Sequence, residues 1–249
     1  MTHINFLVII LIGFLAQLID GALGMAYGVS STTFLTTVGV PAKFASASVH
    51  TAEVFTTLVS GISHWKMKNV NWKMFMRLVI PGVIGGALGA YVLVSFPGDL
   101  ISPFVNVYLL IMGVVVLIRG IRGVTKKLID GNKLITVGLV GGFFDAVGGG
   151  GWGPIVTSTM MASGHPPRYT IGSVNTAEFF VTLVQVLTFT IFLGIGEYWQ
   201  YIVGLAIGGV IAAPLAAYVC KKIPDKNMLL IVGILIIILN MRNIVLLFI

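Results

Sequence analysis

Four acidic side chains occur in apolar surroundings in this sequence. Asp20 and Asp145 each follow an apolar run, Glu53 and Glu178 each lie within one, and together they are half of the eight acidic residues of the chain. A carboxylate in a low-dielectric interior is costly to ionise, which suits it to carrying a proton or coordinating an ion. For the two aspartates, and with less force for the glutamates, the alternative is structural: an acid beside a helix break also caps backbone N–H groups.

These acids belong to an internal repeat. At an offset of 125 residues, 15 of the 40 positions from Asp20 to Val59 are identical in the second copy, including the aspartate and the glutamate. One helical turn before each glutamate lies a polar residue, His50 before Glu53 and Asn175 before Glu178. Self-similarity at a fixed period indicates one structural unit used twice.

Groups suited to binding an anion accompany the acids. Serine and threonine hydroxyls on the glutamate helices can donate to an anion, although in membranes they also bond back to helix carbonyls. The run Gly148 to Gly151 suggests exposed N–H groups at a helix start before Trp152, a favourable place for an anion, although glycine also simply lets two helices cross. The expected substrate-binding residues are Ser48, Thr51, Gly148, Gly149, Gly150, Gly151, Trp152, Ser173, Asn175 and Thr176.

A separate set is expected to couple protons or gate the site, namely Asp20, His50, Glu53, Asp145 and Glu178. His50 and Glu53 can exchange a proton, whereas Asn175 cannot exchange one with Glu178. If transport is proton-coupled, Glu53 with His50 is the better candidate for the cycling proton, and Glu178 is the better hydrogen-bond donor. A histidine satisfied by its glutamate without any relay is the alternative.

The predicted site lies in mid-membrane, with the glycine run facing the four hydroxyls. A bulky residue at Gly150 is expected to abolish binding and leave the protein folded. Trp152 and Tyr27 occupy matching positions, where aromatic side chains are more often gap-filling than ligand-binding. Lys43 and Arg168 are also paired, and interface anchoring is the expected role for both.

Several chemistries find no support in the sequence. No second histidine has metal-ligand spacing relative to His50, and Cys220 is the single cysteine, so no metal site, disulfide or redox pair is expected. Neither GxSxG nor GxGD occurs, which argues against an intramembrane enzyme. No cofactor is expected.

Composition places the chain in a membrane. It has 249 residues, of which 57% are apolar and 9% charged, and its mean hydropathy is +1.03. That leaves too little polar surface for a soluble globule and indicates a polytopic membrane protein. The expected location is the cell membrane, of the bacterial inner-membrane type. The net charge of +7 falls in short clusters between apolar runs, so positive-inside topology explains it and nucleic acid is not an expected partner. The lipid bilayer is an expected partner, and the sequence leaves open whether the protein forms a homodimer.

Six spans and two broken helix pairs are predicted. The broken pairs are Phe6–Ile19 with Val29–Val38 and Leu134–Phe144 with Ile155–Ala162; pieces of about 15 to 21 Å reach only part of a core of about 30 Å, so each pair is expected to be re-entrant. The full spans are Ala45–His64, Met74–Val94, Pro103–Ile118, Ile171–Leu193, Tyr201–Val219 and Met228–Phe248.

The loops predict how the repeats are oriented. The loop from Lys66 to Arg77 is basic and its counterpart near Glu197 is not, whereas the loop at Asp99 lacks basic residues and its counterpart from Lys221 to Lys226 is rich in them. We therefore expect an all-α polytopic membrane protein of two inverted repeats, about 5–120 and 133–249, in a single domain of 1–249. Conventional counting gives about eight transmembrane segments.

Small residues recur on one span of each repeat. Gly82, Gly85, Gly86 and Gly89 in the first copy correspond to Gly209, Ala212, Ala213 and Ala216 in the second. Such spacing lets neighbouring backbones approach, so we expect these residues to serve packing rather than chemistry.

The order of several motifs resembles the sulfite exporter TauE/SafE family. These motifs are the glycine-rich breaks in both repeats, Ser60-Gly61 with His64, Asn69-Val70-Asn71, and Pro81-Gly82 with Gly85 and Gly89. The resemblance covers almost the whole chain and implies a multi-pass transporter that exports sulfite, sulfoacetate or related small sulfur-containing anions. The chain departs from the family pattern where the first break reads LGMAYG and where each glutamate helix carries Thr-Ala-Glu.

The expected function is therefore secondary transport of a small anion by alternating access at a mid-membrane site. A passive anion channel, or a transporter of a different small solute, is the alternative. Saturable coupled flux distinguishes the transporter from a pore.

Overall fold

The described part of the chain is helical and contains no β-strand. A computed structural model describes residues 5–25, 27–96, 132–157, 159–160, 163, 165–193 and 198–220, with isolated helical positions between 107 and 122 and between 226 and 245. The helices are α1 (Phe6–Leu23), α2 (Tyr27–Thr37), α3 (Ala42–Lys66), α4 (Trp72–Ser95), α5 (Asn132–Gly148), a π-helical turn (Gly153–Thr157), α6 (Pro167–Phe192) and α7 (Trp199–Val219). The expected all-α class is confirmed for these residues.

The helices that lead into the two breaks are longer than predicted. α1 continues past Asp20 and α5 continues past Asp145, so each aspartate lies in the last turn of its helix. α1 ends only where Gly24 adopts a left-handed conformation with φ of 69°, which glycine tolerates at a helix C-terminus. Its 18 residues extend about 27 Å at 1.5 Å per residue, close to the core thickness of about 30 Å. The predicted half-depth length is therefore wrong for α1, whereas α2, with 11 residues, remains short.

Four described helices are long and apolar enough to cross a membrane, namely Phe6–Leu23, Trp72–Ser95, Arg168–Phe192 and Trp199–Val219. α3 has 25 residues and thus sufficient length, but many of its buried side chains are polar, which lowers its hydropathy. The chain is accordingly a multi-pass membrane protein.

Large apolar side chains face outward on the described helices. On α4, Ile80, Ile84 and Leu88 are each more than half exposed, and on α7 so are Ile211 and Leu215. Charged and hydrogen-bonding side chains are instead buried on the helices between them. This arrangement suits a molecule whose periphery contacts lipid and whose interior carries its polar groups.

The small-residue positions hold the helices close together, as predicted. A Cβ at Gly85 would overlap the Leu139 carbonyl oxygen on α5, and a Cβ at Gly208 would overlap the Ile10 carbonyl oxygen on α1. α4 therefore packs along α5, and α7 packs along α1. The two glutamate helices, α3 and α6, pack on each other, with α7 beside α3 and α4 beside α6.

Some predictions lie outside the described residues. They concern the loops around Asp99, Arg119, Glu197 and Lys221, most of the spans 103–118 and 228–248, and both termini. The repeat boundaries and the inverted orientation remain predictions.

Candidate functional site

The break between α1 and α2 is built around Asp20. The Gly24 N–H donates to the Asp20 carbonyl at 2.5 Å and closes the last turn of α1. The Tyr27 N–H, at the start of α2, donates to Asp20 Oδ1 at 3.4 Å. Asp20 is buried, and its Oδ2 has no hydrogen-bond partner among the described residues. The aspartate therefore caps α2, but with one long hydrogen bond.

The second break, between α5 and the π-helical turn, is capped more tightly. Asp145 Oδ1 accepts from the N–H groups of Gly151 at 2.7 Å and Trp152 at 2.9 Å, and Oδ2 accepts from Gln185 Nε2 at 2.9 Å. The Gly150 N–H donates to the Asp145 carbonyl at 2.9 Å. The N–H groups that the glycine run was expected to expose at 150, 151 and 152 are thus already bonded to Asp145.

The two breaks cross each other at the centre of the described structure. Thr32 donates its hydroxyl to the Gly149 carbonyl, and Thr157, its counterpart in the repeat, donates to the Gly24 carbonyl at 2.6 Å. Gly149 and Gly24 are themselves equivalent positions. The threonine of each copy therefore donates to the equivalent glycine carbonyl of the other copy.

Glycine is required at this crossing. A Cβ on Gly28 would lie 2.6 Å from the Gly150 Cα, and a Cβ on Gly150 would overlap the backbone nitrogen of Val29. Gly150 also has a φ of 142°, which L side chains rarely adopt. The expectation that a bulky residue at Gly150 leaves the protein folded is therefore wrong, because this glycine is in backbone-to-backbone contact.

His50 links Glu53 to the second break. Its Nδ1 lies 2.6 Å from Glu53 Oε2, and its Nε2 lies 3.1 Å from the Asp145 carbonyl oxygen. Because a carbonyl can only accept, Nε2 must carry a hydrogen. The proton between Nδ1 and Oε2 is then shared, belonging either to a histidinium beside a carboxylate or to a neutral imidazole beside a carboxylic acid. The predicted pairing of His50 with Glu53 is confirmed in geometry.

Asn175 does not pair with Glu178 in the same way. Its Oδ1 accepts from Ser60 Oγ at 2.8 Å, and its Nδ2 donates to the Ile171 carbonyl at 3.3 Å. Glu178 is 4% exposed, and no hydrogen bond to its carboxyl group occurs among the described residues. The two glutamates thus differ in environment although their helices are copies.

The four acids form one electrostatic cluster. Asp20 interacts with Glu53 and Asp145, and Glu178 interacts with all three. In the described part of the chain no group of three or more histidine, cysteine or acidic residues has the geometry of a metal site. Buried acids grouped in this way in a membrane protein mark a place suited to protons or ions.

The expected anion-binding hydroxyls do not converge on the glycine run. Thr51 and Thr176 donate back to the carbonyls of Ala47 and Gly172, at 2.6 and 2.7 Å. The Ser173 hydroxyl donates to the Tyr169 carbonyl at 2.6 Å, and it accepts from the Asn71 N–H at 2.8 Å. Of these four hydroxyls, the buried one of Ser48 is without a hydrogen-bond partner in the part of the chain that the structure describes. In this conformation the first three serve helix and loop packing.

The paired aromatic residues fill space, as anticipated. Trp152 is fully buried against Gly82, with its Nε1–H donated to the Val174 carbonyl at 3.1 Å. Tyr27 is buried beside Gly209 and donates its hydroxyl to the Leu205 carbonyl at 3.1 Å. Both rings pack in the small-residue spans of the opposite repeat.

A polar chain that sequence reasoning did not find joins the first break to the turn before α6. His64 Nε2 donates to the Gly21 carbonyl at 3.0 Å, and Asn69 Nδ2 donates to His64 Nδ1 at 3.1 Å. Arg168 Nε donates in turn to Asn69 Oδ1 at 2.5 Å, and Nη2 donates to the Met67 carbonyl at 2.8 Å. Arg168 thus connects the start of α6 to the loop that follows α3, a role beyond the expected interface anchor. His64 and Asn69 belong to motifs noted in the sequence, which is the signal that pointed to them.

Two glutamines were also missed. Gln185 bonds Asp145, as described above, and Gln17 is fully buried with neither side-chain atom hydrogen-bonded among the described residues. Gln17 lies one turn before Asp20 on the same face of α1. A glutamine inside an otherwise apolar helix is the available sequence signal.

A cavity of about 310 Å³ is lined by none of the four acids, His50 or the glycine run. It is lined by residues of α3, α4 and α6, including the exposed Trp65 and Trp72, and the Thr57 and Thr176 hydroxyls on its wall are bonded to helix carbonyls. An apolar groove of this kind suits lipid contact better than an anion.

Comparison with known proteins agrees with the architecture. The family model described as "Sulfite exporter TauE/SafE" matches residues 9–242. The chain is 44% identical over 242 residues to the "Probable membrane transporter protein YtnM" of Bacillus subtilis (strain 168), which covers 94% of this chain and 81% of that protein. It is 23% identical over 269 residues to the "Probable membrane transporter protein YunE" of the same organism, covering 95% and 96%. No solved structure was found to match the chain.

The names of the family and of these relatives are those of membrane transporters and not of enzymes. The buried polar crossing and the apolar periphery agree with this. Together these findings show that the chain belongs to the sulfite exporter TauE/SafE family of membrane transporters.

Proposed function

We propose that this protein is a secondary transporter of small anions, with sulfite, sulfoacetate and related organosulfur anions as the substrate class. The supporting observation is the crossing of two broken helices, each closed by a buried aspartate, inside a cluster of four acids and one histidine. Broken helices at the centre of a repeat interface are a common site for substrate and coupling ions in such proteins.

Alternating access follows from the repeat. Reciprocal contacts such as Thr32 to Gly149 and Thr157 to Gly24 are what a two-fold axis between the copies requires. The swapped basic loops predict that the second copy lies upside down relative to the first. The copies then exchange conformations to open the site to opposite faces of a bacterial-type inner membrane.

Substrate binding is proposed to require protons. An anion beside several ionised carboxylates would be repelled, so we expect the binding of substrate to be accompanied by the uptake of a proton. His50 and Glu53 share a transferable proton between Nδ1 and Oε2, two atoms that lie 2.6 Å apart. Asp20, Asp145 and Glu178 are the other groups proposed to couple or gate.

The proposed lining belongs to a more open conformation than this one. Movement of Asp145 away from the second break would release the N–H groups that it now holds. Helix reorientation would present the hydroxyls that now bond within α3 and α6. The lining set is Ser48, Thr51, Gly148, Gly149, Gly150, Gly151, Trp152, Ser173, Asn175 and Thr176.

Two measurements test the proposal. Purified protein is heated with sulfite, sulfoacetate, sulfate and chloride, and a substrate that binds only the folded state is expected to raise the melting temperature. Proteoliposome uptake of the stabilising anion should saturate with concentration. Flux that rises linearly without saturation would favour a passive anion channel, and stabilisation only by an uncharged solute would remove the anion class.

A further inference from the structure

The two breaks treat equivalent aspartates differently. Asp145 receives three N–H groups on its two carboxylate oxygens, from Gly151, Trp152 and Gln185. Asp20 receives one, from Tyr27 at 3.4 Å, and its second oxygen has no partner among the described residues although the residue is 2% exposed. The cap at Asp145 thus uses both carboxylate oxygens, whereas the cap at Asp20 leaves one buried oxygen without a donor in the described part of the chain.

Gln17 adds a second unsatisfied group in the same place. Its side chain is fully buried, neither its oxygen nor its nitrogen is hydrogen-bonded in the described structure, and it lies one turn before Asp20 on α1. Its Nε2 lies 3.3 Å from the position that a Cβ on Gly21 would occupy. Buried polar groups without partners are uncommon in native proteins, and a bound ion is one explanation for two of them side by side.

We propose that the Asp20 break is the half of the site that binds a proton and an oxyanion together, with Gln17 as a ligand of the anion. With a proton on Oδ2, the Asp20 O–H and the Gln17 Nε2–H offer two donors one turn apart on α1, where α1 approaches the N-terminus of α2; the Tyr27 N–H is held only by its long bond to Asp20 Oδ1. That terminus belongs to an 11-residue helix whose dipole also favours an anion. Release returns the proton and the anion to the same side. This inference rests on the proposed anion transport: it assigns the proton that binds together with the anion to Asp20 and leaves the transfer of that proton to the pair of His50 and Glu53.

The charges facing Asp20 support joint binding. Glu53 on α3, Asp145 on α5 and Glu178 on α6 all interact with it electrostatically, as does Tyr27 on α2. His50 is bonded to Glu53, and α7, which packs Ala216 against Gly21, carries no charged residue. With acids on three neighbouring helices, an anion gains affinity when Asp20 is neutral, so binding strengthens as the pH falls.

Infrared spectroscopy of the purified protein tests the proton without any ligand. Wild-type protein at neutral pH is expected to show a protonated buried carboxyl band that Asp20→Asn diminishes and Asp145→Asn does not. Loss of the band in Asp145→Asn, or its persistence unchanged in Asp20→Asn, would overturn the assignment. Both substitutions are nearly isosteric, and circular dichroism establishes that the variants compared are folded.

Sulfoacetate, whose charge is constant around neutral pH, tests the anion. Its affinity for wild-type protein, measured by thermal stabilisation, should rise as the pH falls, and Asp20→Asn should remove this pH dependence. Gln17→Met should weaken binding by about tenfold, the equivalent of about one hydrogen bond. Gln185→Met is the matched control and should lower the melting temperature while keeping the pH dependence of binding.

The outcomes separate this inference from the function on which it rests. Equal weakening by Gln17→Met and Gln185→Met, or pH dependence that persists in Asp20→Asn, would overturn the inference while leaving anion transport in place. If wild-type protein binds neither sulfite nor sulfoacetate, the proposed substrate class fails and the anion half of this inference fails with it. The infrared result then decides the proton half alone.

Discussion

The break at Asp145 and the break at Asp20 come from one duplicated unit, yet they now differ in strength. At Asp145 a glycine run with two left-handed residues, Gly149 and Gly150, lets the chain turn back so that two backbone N–H groups reach the carboxylate. At Asp20 the chain turns at Gly24 and only Tyr27 reaches the carboxylate, at 3.4 Å. The first break is a closed cap and the second is a loose one.

This difference shows which contacts the duplication kept. The hydroxyl bonds of Thr32 and Thr157 across the crossing occur in both directions, because they hold the two copies against each other. The groups around each aspartate diverged: Gln185 supports Asp145 from α6, while Gln17, one turn before Asp20 on α1, has no hydrogen bond to any described residue. Shared architecture and unequal chemistry are what a transporter needs when one copy serves as support and the other exchanges ligand.

The largest expected effect is the loss of the crossing itself. Gly150→Val should leave little folded protein in size-exclusion chromatography, because a side chain there overlaps backbone atoms of α2 and the φ of 142° is strained. Gly61→Ala is the control, since its Cβ would meet Thr176 Cα at an ordinary 3.4 Å. Comparable yields for the two variants would mean that the breaks do not meet as closely as described.

The next effect separates the glutamates. Glu53→Gln should reduce gradient-driven anion flux by at least about tenfold and remove its pH dependence, since it disrupts the proton shared with His50, a charge-assisted bond of roughly 1.5 kcal/mol or more. Glu178→Gln should retain appreciable flux with a muted pH effect, because no described residue makes a hydrogen bond to that carboxyl group. Both are measured in proteoliposomes with an imposed pH gradient.

Equal losses in the two glutamine variants would contradict this division, and so would unchanged pH dependence in Glu53→Gln. His50→Gln provides a second variant, since glutamine keeps a donor for the Asp145 carbonyl but cannot exchange the proton. It should resemble Glu53→Gln.

The smallest effect concerns the reciprocal hydroxyl bonds. Thr32→Val and Thr157→Val should each lower stability by about 1 kcal/mol, the usual contribution of one hydrogen bond, with similar losses because the sites are equivalent. Thermal unfolding in detergent measures both, with Thr36→Val as control because its hydroxyl bonds within α2. A large loss at one threonine and none at the other would break the symmetry of the crossing.

Much of the scaffold was predictable because it depends on local spacing. The period of 125 residues identified the paired breaks, the small-residue positions identified the close helix contacts, and the three-residue separation of His50 and Glu53 placed both on one helical face. Such features need only the geometry of a helix. The family resemblance, carried by motifs around His64 and Asn69, was also visible in the sequence.

The hydrogen-bond partners within the site were harder to predict from the sequence, because they depend on which helices contact each other. Ser173 contacts Asn71 across 102 residues of sequence, and Gln185 reaches Asp145 across 40, so neither partner follows from local pattern. The helices also continue past Asp20 and Asp145, since a buried carboxylate can cap the next segment from the last turn of its own helix. For the same reason the N–H groups predicted to be open at the glycine run are bonded to Asp145.

The most direct test of the account is whether a proton gradient drives the anion uphill. Proteoliposomes loaded with equal sulfoacetate inside and outside are given a pH difference, and the internal concentration is followed in wild-type protein, Asp20→Asn and Asp145→Asn. The account predicts accumulation on the alkaline side in wild-type protein, and no accumulation in Asp20→Asn. Folded Asp145→Asn protein, in which the proposed gate is altered but the proton site at Asp20 is kept, should accumulate it more slowly than wild-type protein. Sulfoacetate that moves only down its own gradient in wild-type protein, whatever the pH difference, would contradict proton-coupled transport.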